Sequence, residues 1–246
     1  MPNEDTPLQD HENALKGMAT EEFTNELMAL LKSRASLIYL ICNEEKRMKC
    51  YFRHLSAVKG YNIYIWDCYL GLLDLITEKK AKGVTDDLTM APIVLDKIIE
   101  QANLDSENAK SLKDQGVKGN IYILLDFSQF IADPMIERRL KTFANIESMT
   151  HIIMVGPSLV TTENIEEVMS VIDFPYPNNK EIESSLNVLV AAVQNQGKLP
   201  NLPKEAEKRK EELIKAVSGL TLHEAQMAFA KSIVKHKSFE MKTILK

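Results

Sequence analysis

The sequence predicts an α/β fold, a five-stranded parallel sheet with helices on both faces, followed by a small all-helical unit. Three observations carry this reading. Short apolar runs recur at Leu37–Ile41, Asn62–Trp66, Ile121–Asp126, His151–Val155 and Val171–Phe174. Most are continuously apolar rather than alternating, as strands covered on both faces must be. Segments of helical spacing separate them, which makes parallel pairing through crossovers the simplest arrangement. Beyond Pro175-Tyr176-Pro177 the strand pattern stops and only helical patterns follow.

The elements follow in order. Residues 1–20 are polar and acidic with no apolar period, and are expected to form a mobile tail. From Thr20, Phe23, Leu27, Leu30 and Leu31 fall at helical spacing. After the first strand, a helix near Glu44–Val58 ends at Lys59-Gly60, a suitable carboxyl-terminal cap. A variable stretch follows the second strand, then a helix at about Pro92–Ala102, and Leu104–Gly119 reads as a charged surface excursion. Asp133-Pro134 opens a helix to about Glu147, since Asp caps and Pro suits the first helical position. A short helix near Thr162–Met169 precedes the fifth strand. Asn179 then opens a long helix to about Gln194, and helices at about Lys204–Ser218 and Leu222–Lys235 flank Gly219. The resulting division is a tail over 1–20, an α/β domain over 21–199 and a helical subdomain over 200–246.

Composition narrows the function classes. The chain has 246 residues, 45% of them hydrophobic and 26% charged, with a formal charge of −5. An acidic chain of this kind argues against nucleic acid as the main partner. No apolar run approaches the ~20 residues that span a bilayer. The amino terminus lacks the basic and apolar regions of a signal peptide. The cysteines, Cys42, Cys50 and Cys68, form no even disulfide framework and no CxxC pair, which predicts a reducing, cytoplasmic type of compartment. Cys42 and Cys68, at strand ends, are expected to be buried. The five histidines are scattered without metal-ligand spacing.

The junctions between strands and helices carry the functional information. A parallel sheet binds ligands along the carboxyl ends of its strands. Nucleotide hydrolysis there needs a Gly-rich loop with a Lys, an acid for Mg²⁺ at another strand tip, and a group that activates water. The first strand instead runs into Cys42-Asn43-Glu44-Glu45, and no Gly-x-x-x-x-Gly-Lys-Ser/Thr occurs anywhere in the chain. Asp126 stands where a metal-contacting acid would, or caps the next turn through backbone N–H groups. Phe127 follows it, and an aromatic ring accepts no proton. The fourth strand ends in Gly156-Pro157-Ser158 without a strong polar group to orient water. Arg138 and Arg139, early in the next helix, suit a neighbouring subunit, a phosphate or a surface ion pair.

A set of short motifs recurs in a familiar order. They are Arg34-x-Ser36-Leu37-Ile38-Tyr39, Glu44-Glu45-x-Arg47, Ile65-Trp66-Asp67, Leu125-Asp126-Phe127, Asp133-Pro134, Arg138-Arg139-Leu140, Asp173-Phe174-Pro175 and Gly219-Leu220-Thr221-Leu222-x-Glu224-Ala225-x-x-Ala228. From about Glu21 to Lys237 the chain resembles the amino-terminal half of AAA-type ATPases of poorly assigned function, found in plastid, cyanobacterial and other bacterial genomes. The resemblance implies a P-loop NTPase-like fold with a helical lid, and a separate, complete AAA module beyond it. ATP and Mg²⁺ are then expected only in that adjoining module, with none held by this chain. Asn43, Glu44, Glu45, Asp126 and Phe127 match positions of a degenerate nucleotide site, and Arg138 and Arg139 match trans-acting or interface positions.

The expected function is a non-catalytic module for oligomer assembly or partner binding, joined to an AAA ATPase module in cis or in trans. A homo-oligomer, an unknown protein substrate, and the cytoplasm or plastid stroma complete the expectation. Two alternatives stand beside it. One is a composite ATPase in which Arg138 or Arg139 acts on a neighbour's nucleotide; the other is a free-standing protein-binding module.

Overall fold

The computed structural model describes residues 6–18, 20–80, 88–108, 114, 116–195 and 199–245. They divide into two compact units, one centred on Glu21–Phe174 and the other on the chain from Pro175 onward.

The first unit is a six-stranded sheet of β1 (Leu37–Ile41), β2 (Tyr61–Asp67), β3 (Gly71–Asp74), β4 (Gly119–Leu125), β5 (Thr150–Gly156) and β6 (Met169–Asp173). Its order is β3-β2-β4-β5-β1-β6. Five strands are parallel, as the apolar runs predict, and β3 adds an antiparallel edge beside β2. The sequence leaves β3 inside its variable stretch. It is a four-residue strand reached through a tight turn in which Asp67 Oδ1 accepts the N–H groups of Tyr69 (2.8 Å) and Leu70 (2.6 Å).

The helices of this unit are α1 (Thr6–Met18), α2 (Glu21–Lys32), α3 (Glu45–Lys59), α4 (Ala91–Glu107), α5 (Pro134–Ala144) and α6 (Glu163–Glu166). Helix α1 departs from the expected tail: Leu15 is buried and His11 Nδ1 lies 2.8 Å from His54 Nδ1 on α3. Residues 1–5 of that tail lie outside the described residues. Helix α4 runs to Glu107, past the expected end, because Asp105 is drawn into the sheet edge. Its carboxylate accepts from Asn120 Nδ2 (2.6 Å), Thr150 Oγ1 (2.6 Å) and Gln101 Nε2 (2.8 Å). Gly60 closes α3 at φ 72°, a conformation glycine adopts without steric cost.

Both faces of the sheet are covered. Tyr39, Trp66, Tyr122, Leu124, Ile152 and Met154 share one face and pack with α4 and α5 through Val94, Leu95, Ile98, Ile136, Leu140 and Phe143. On the other face Ile38, Leu40, Ile63, Ile121, Ile123 and Ile153 are equally buried, with α2 against β6 and α3 against β2. Trp66 is fully buried and donates its indole N–H to the Leu88 carbonyl.

The second unit is helical, with α7 (Asn179–Asn195), α8 (Leu202–Lys208), α9 (Lys210–Ala216), α10 (Leu222–His236) and α11 (Met241–Ile244). Ile182, Leu186 and Val190 of α7 share a core with Leu202, Leu213, Phe229 and Phe239. This packing draws the boundary between Phe174 and Pro175, not at 199–200 where the sequence draws it. Periodicity alone cannot say which core an amphipathic helix joins. The single helix expected over Lys204–Ser218 is broken at Arg209 (φ −112°), whose guanidinium turns to the Phe239 carbonyl and to Glu205 and Glu212. Thr221 and Glu224 form a reciprocal capping box at the start of α10.

Candidate functional site

The turn after β1 sits at the carboxyl edge of the sheet. Cys42 donates its backbone N–H to Gly156 O (2.9 Å), and Ile41 O accepts from Phe174 N (2.8 Å). These bonds tie the turn to the neighbouring segments on both sides. Asn43 and Glu45 are exposed, and Glu45 forms an ion pair with Lys49 one turn along α3. Glu44 stands at the cap position but makes no side-chain cap. Its Oε2 accepts from Arg47 Nη1 at 3.0 Å, with both side chains under 10% exposed. The Arg47 guanidinium in turn lies 4.9 Å from the centroid of the Phe174 ring, and Phe174 packs edge-on against Phe23 and Tyr51. The turn is thus closed by an internal ion pair seated on an aromatic cluster. Burial pushes the Cys42 thiol up to about 11.

Asp126 at the end of β4 is exposed and takes a left-handed conformation, φ 52°. Its backbone N–H bonds Val155 O at 3.0 Å, and its side chain caps nothing in the following 3-10 turn, Phe127–Phe130. The capping role open to it from the sequence is therefore absent, because the residue itself forms the turn. Phe127 is fully buried, edge-on to Trp66 at 5.4 Å, so its aromatic identity serves the core. Gly156 has a packing reason as well. A Cβ there would lie 2.5 Å from Tyr39 Oη, and that hydroxyl donates to Ser158 O at 2.7 Å. Ser158, the only polar group the sequence offers at this strand end, contributes its carbonyl to that bond.

The two arginines of α5 differ. Arg139 forms a two-pronged bond with Asp96 of α4, Nε to Oδ1 at 2.7 Å and Nη2 to Oδ2 at 3.0 Å, and also reaches Met135 O. Arg138 is exposed and makes no ion pair among the described residues. Cys68, expected to be buried, is exposed in the β2–β3 turn. No group of three His, Cys, Asp or Glu side chains is placed to hold a metal ion, and no helix is long and apolar enough to cross a membrane, among the described residues. The sequence names Glu44 and Arg47 but does not single out Arg47 as the residue that closes the turn. Its position three residues after Glu44 was the available signal.

Family comparison decides the larger question. Residues 23–174 match the amino-terminal domain of the SpoVK-like AAA ATPases, and residues 180–246 match the second domain of the same family. The chain belongs to the SpoVK-like AAA ATPase family. Its relatives include the "Uncharacterized AAA domain-containing protein ycf46" of Trieres chinensis, 27% identical over 91% of this chain and 40% of that protein. The ycf46 protein of Pyropia yezoensis is 24% identical over 90% of this chain and 40% of its own length. The chain thus spans about two fifths of the relatives it matches. Looser fold matches include C. elegans PCH-2, with TM-score 0.49, 9% identity and coverage of 91% of this chain and 65% of that one. A Thermotoga maritima RuvB mutant gives TM-score 0.47 and 8% identity, covering 92% of this chain and 68% of that one. The two family domains meet between residues 174 and 180, where the two packing units also divide.

Proposed function

We propose that this chain is a non-catalytic AAA-type module that supports oligomer assembly or partner binding for an ATPase module, in cis in a longer protein or in trans. One observation carries the reading. Where a phosphate loop would present backbone N–H groups and a Lys, the turn holds the Glu44–Arg47 pair packed on Phe174. A phosphate brought there would meet the Glu44 carboxylate, and the nearest cation is already neutralised. Asp126, without an adjacent carboxylate, lacks the partner that would activate water. The donor set therefore does not fit ATP with Mg²⁺, and we assign both to an adjoining module. The relatives are longer, since this chain spans about two fifths of their length, and that leaves room for an adjoining module. Interfaces depend on fold shape and outlast the few residues that perform chemistry. The free cysteines fit a reducing compartment, cytoplasm or plastid stroma.

Equilibrium binding of a fluorescent ATP analogue tests this. No saturable binding is expected at micromolar concentrations with or without Mg²⁺, and Mg²⁺-dependent micromolar binding to this chain overturns the reading.

A second reading, a composite ATPase, is favoured by one observation. Arg138 is exposed and unpaired among the described residues, as a guanidinium acting on a neighbour's nucleotide would be. Arg139, held by Asp96, is the positioning partner of α4 instead. In a parent protein with an active module, Arg138→Ala would lower turnover with unchanged melting if this second reading holds.

A further inference from the structure

The opposite, amino-terminal edge of the sheet carries a pocket of about 360 Å³ that the reading above does not use. It is lined by Lys32 at the end of α2, Arg34 after it, Tyr61 and His151 at the starts of β2 and β5, and Lys118 before β4. Apolar Leu31, Val117 and Met149 complete the wall, and among the described residues no Asp or Glu lines it. Three cations thus converge in a chain whose net charge is −5. None of the three forms an ion pair among the described residues, whereas other basic side chains are engaged in pairs such as Lys49–Glu45 and Arg139–Asp96.

The floor supplies an independent indication. His151 is 2% exposed, and its Nδ1 donates to Ala35 O at 2.9 Å. A carbonyl only accepts, so in the neutral ring the proton sits on Nδ1 and Nε2 carries the lone pair. No described group bonds Nε2. That lone pair is open to water or to a ligand in the pocket that His151 lines. The ring is held by the edge-on Tyr61 at 6.3 Å, so its orientation is set before any ligand arrives.

We propose that this pocket binds a small phosphate-type anion. Guanidinium and ammonium groups suit phosphate oxygens, and a hydrogen phosphate, or a monoester at or below its second pKa of about 6, also carries an O–H that can donate to Nε2 of His151. A carboxylate ligand satisfies the cations but offers no proton to that nitrogen. The volume exceeds that of a bare phosphate and falls within the range of small-molecule sites of about 300–1,000 Å³, which leaves room for an organic group against Leu31, Val117 and Met149.

The test is a titration of the chain at about pH 6 with inorganic phosphate, phenyl phosphate and tricarballylate, a tricarboxylate without a hydroxyl, following the His151 and Tyr61 ring resonances by NMR. Saturable shifts are expected with both phosphates at about millimolar concentration or below, and weaker ones with tricarballylate. Tighter binding of phenyl phosphate identifies an organic phosphate as the source, and equal binding identifies free phosphate. The double substitution Lys32→Ala with Lys118→Ala should weaken binding by about tenfold or more. The Lys231→Ala, Lys235→Ala pair on the helical unit should leave it unchanged. Absence of ring shifts, or shifts that survive loss of Lys32 and Lys118, overturns the proposal. The readout is local to this edge, so its failure is separate from any result with ATP analogues.

Discussion

The Arg47 guanidinium lies 4.9 Å from the centre of the Phe174 ring, and the same side chain holds the Glu44 carboxylate at 3.0 Å. Helix α3 is thereby joined to the segment that follows β6, and the turn after β1 is sealed from within. A buried pair is fragile to loss of one member, since the other charge is left without compensation. Arg47→Ala should therefore destabilise the chain by about 3–5 kcal/mol. Urea denaturation read by tryptophan fluorescence measures it. Arg47→Met with Glu44→Gln, which removes both charges and keeps volume, should recover most of the loss; failure to recover would show that the aromatic contact dominates.

The buried carboxylate of Asp105 supports the other edge of the sheet. It accepts from side chains on β4 and β5, and Asn120 passes the network on to Asn62 of β2 at 3.0 Å. Asp105→Ala strands two donors in the interior, at about 1–3 kcal/mol each. Thermal melting should fall clearly, whereas Glu107→Ala, exposed on the same helix, should leave it unchanged.

Gly119 opens β4 at a position where a Cβ would stand 2.0 Å from the Met149 carbonyl. The obstacle is backbone, so no side-chain rotation relieves it. Gly119→Ala must displace the start of β4 from β5 and is expected to cost several kcal/mol, in the upper range of about 4–5 that single substitutions reach. Hydrogen exchange at Asn120 and Ile121 should accelerate first, because register at this edge is what the substitution disturbs.

These three sites show what a sequence can and cannot display. Strands β1, β4 and β5 are legible because burial on both faces makes each one a nearly continuous apolar run, whereas β2 and β6 are only partly buried and carry a weaker pattern. Strand β3 is not legible, since Gly71–Asp74 is short and depends on the Asp67 turn. The long helix α7 is legible as a helix, but its partners are not, because an amphipathic stripe matches either core. At the candidate site the absence of glycines and lysine after β1 is plain in the sequence. The seating of Arg47 on Phe174 is not, as the two residues are joined only by the pairing of β1 with β6. Asp126 misleads for the opposite reason: local rules allow it to cap a turn that it in fact forms with its own left-handed backbone.

The cysteines differ in accessibility and acidity. Only the thiolate attacks an alkylating reagent, and the Cys42 thiol is both buried and pushed up to about 11 by that burial. Cys68 is exposed in its turn. Iodoacetamide at mildly alkaline pH should label Cys68 first and Cys42 only after denaturant is added. Peptide mass spectrometry reads the order, and early labelling of Cys42 would mean that the turn after β1 opens in solution.

Two histidines set the acid limit of the fold. Burial lowers the affinity of His54 for a proton, with His11 beside it adding to the effect, and burial does the same for His151 against the opposing bond to Ala35 O. Both take up protons less readily folded than unfolded. Below the ordinary imidazole value of 6.5 the unfolded chain therefore binds protons that the native chain refuses. Their contribution to stability is present above that pH and is lost as pH falls through the lower folded values. Urea midpoints measured from neutral pH downward should decrease through this window, before the carboxylates titrate. His54→Asn together with His151→Asn should flatten the decrease while lowering stability at neutral pH. A midpoint that fell equally in the double variant would place the acid sensitivity on the carboxylates instead.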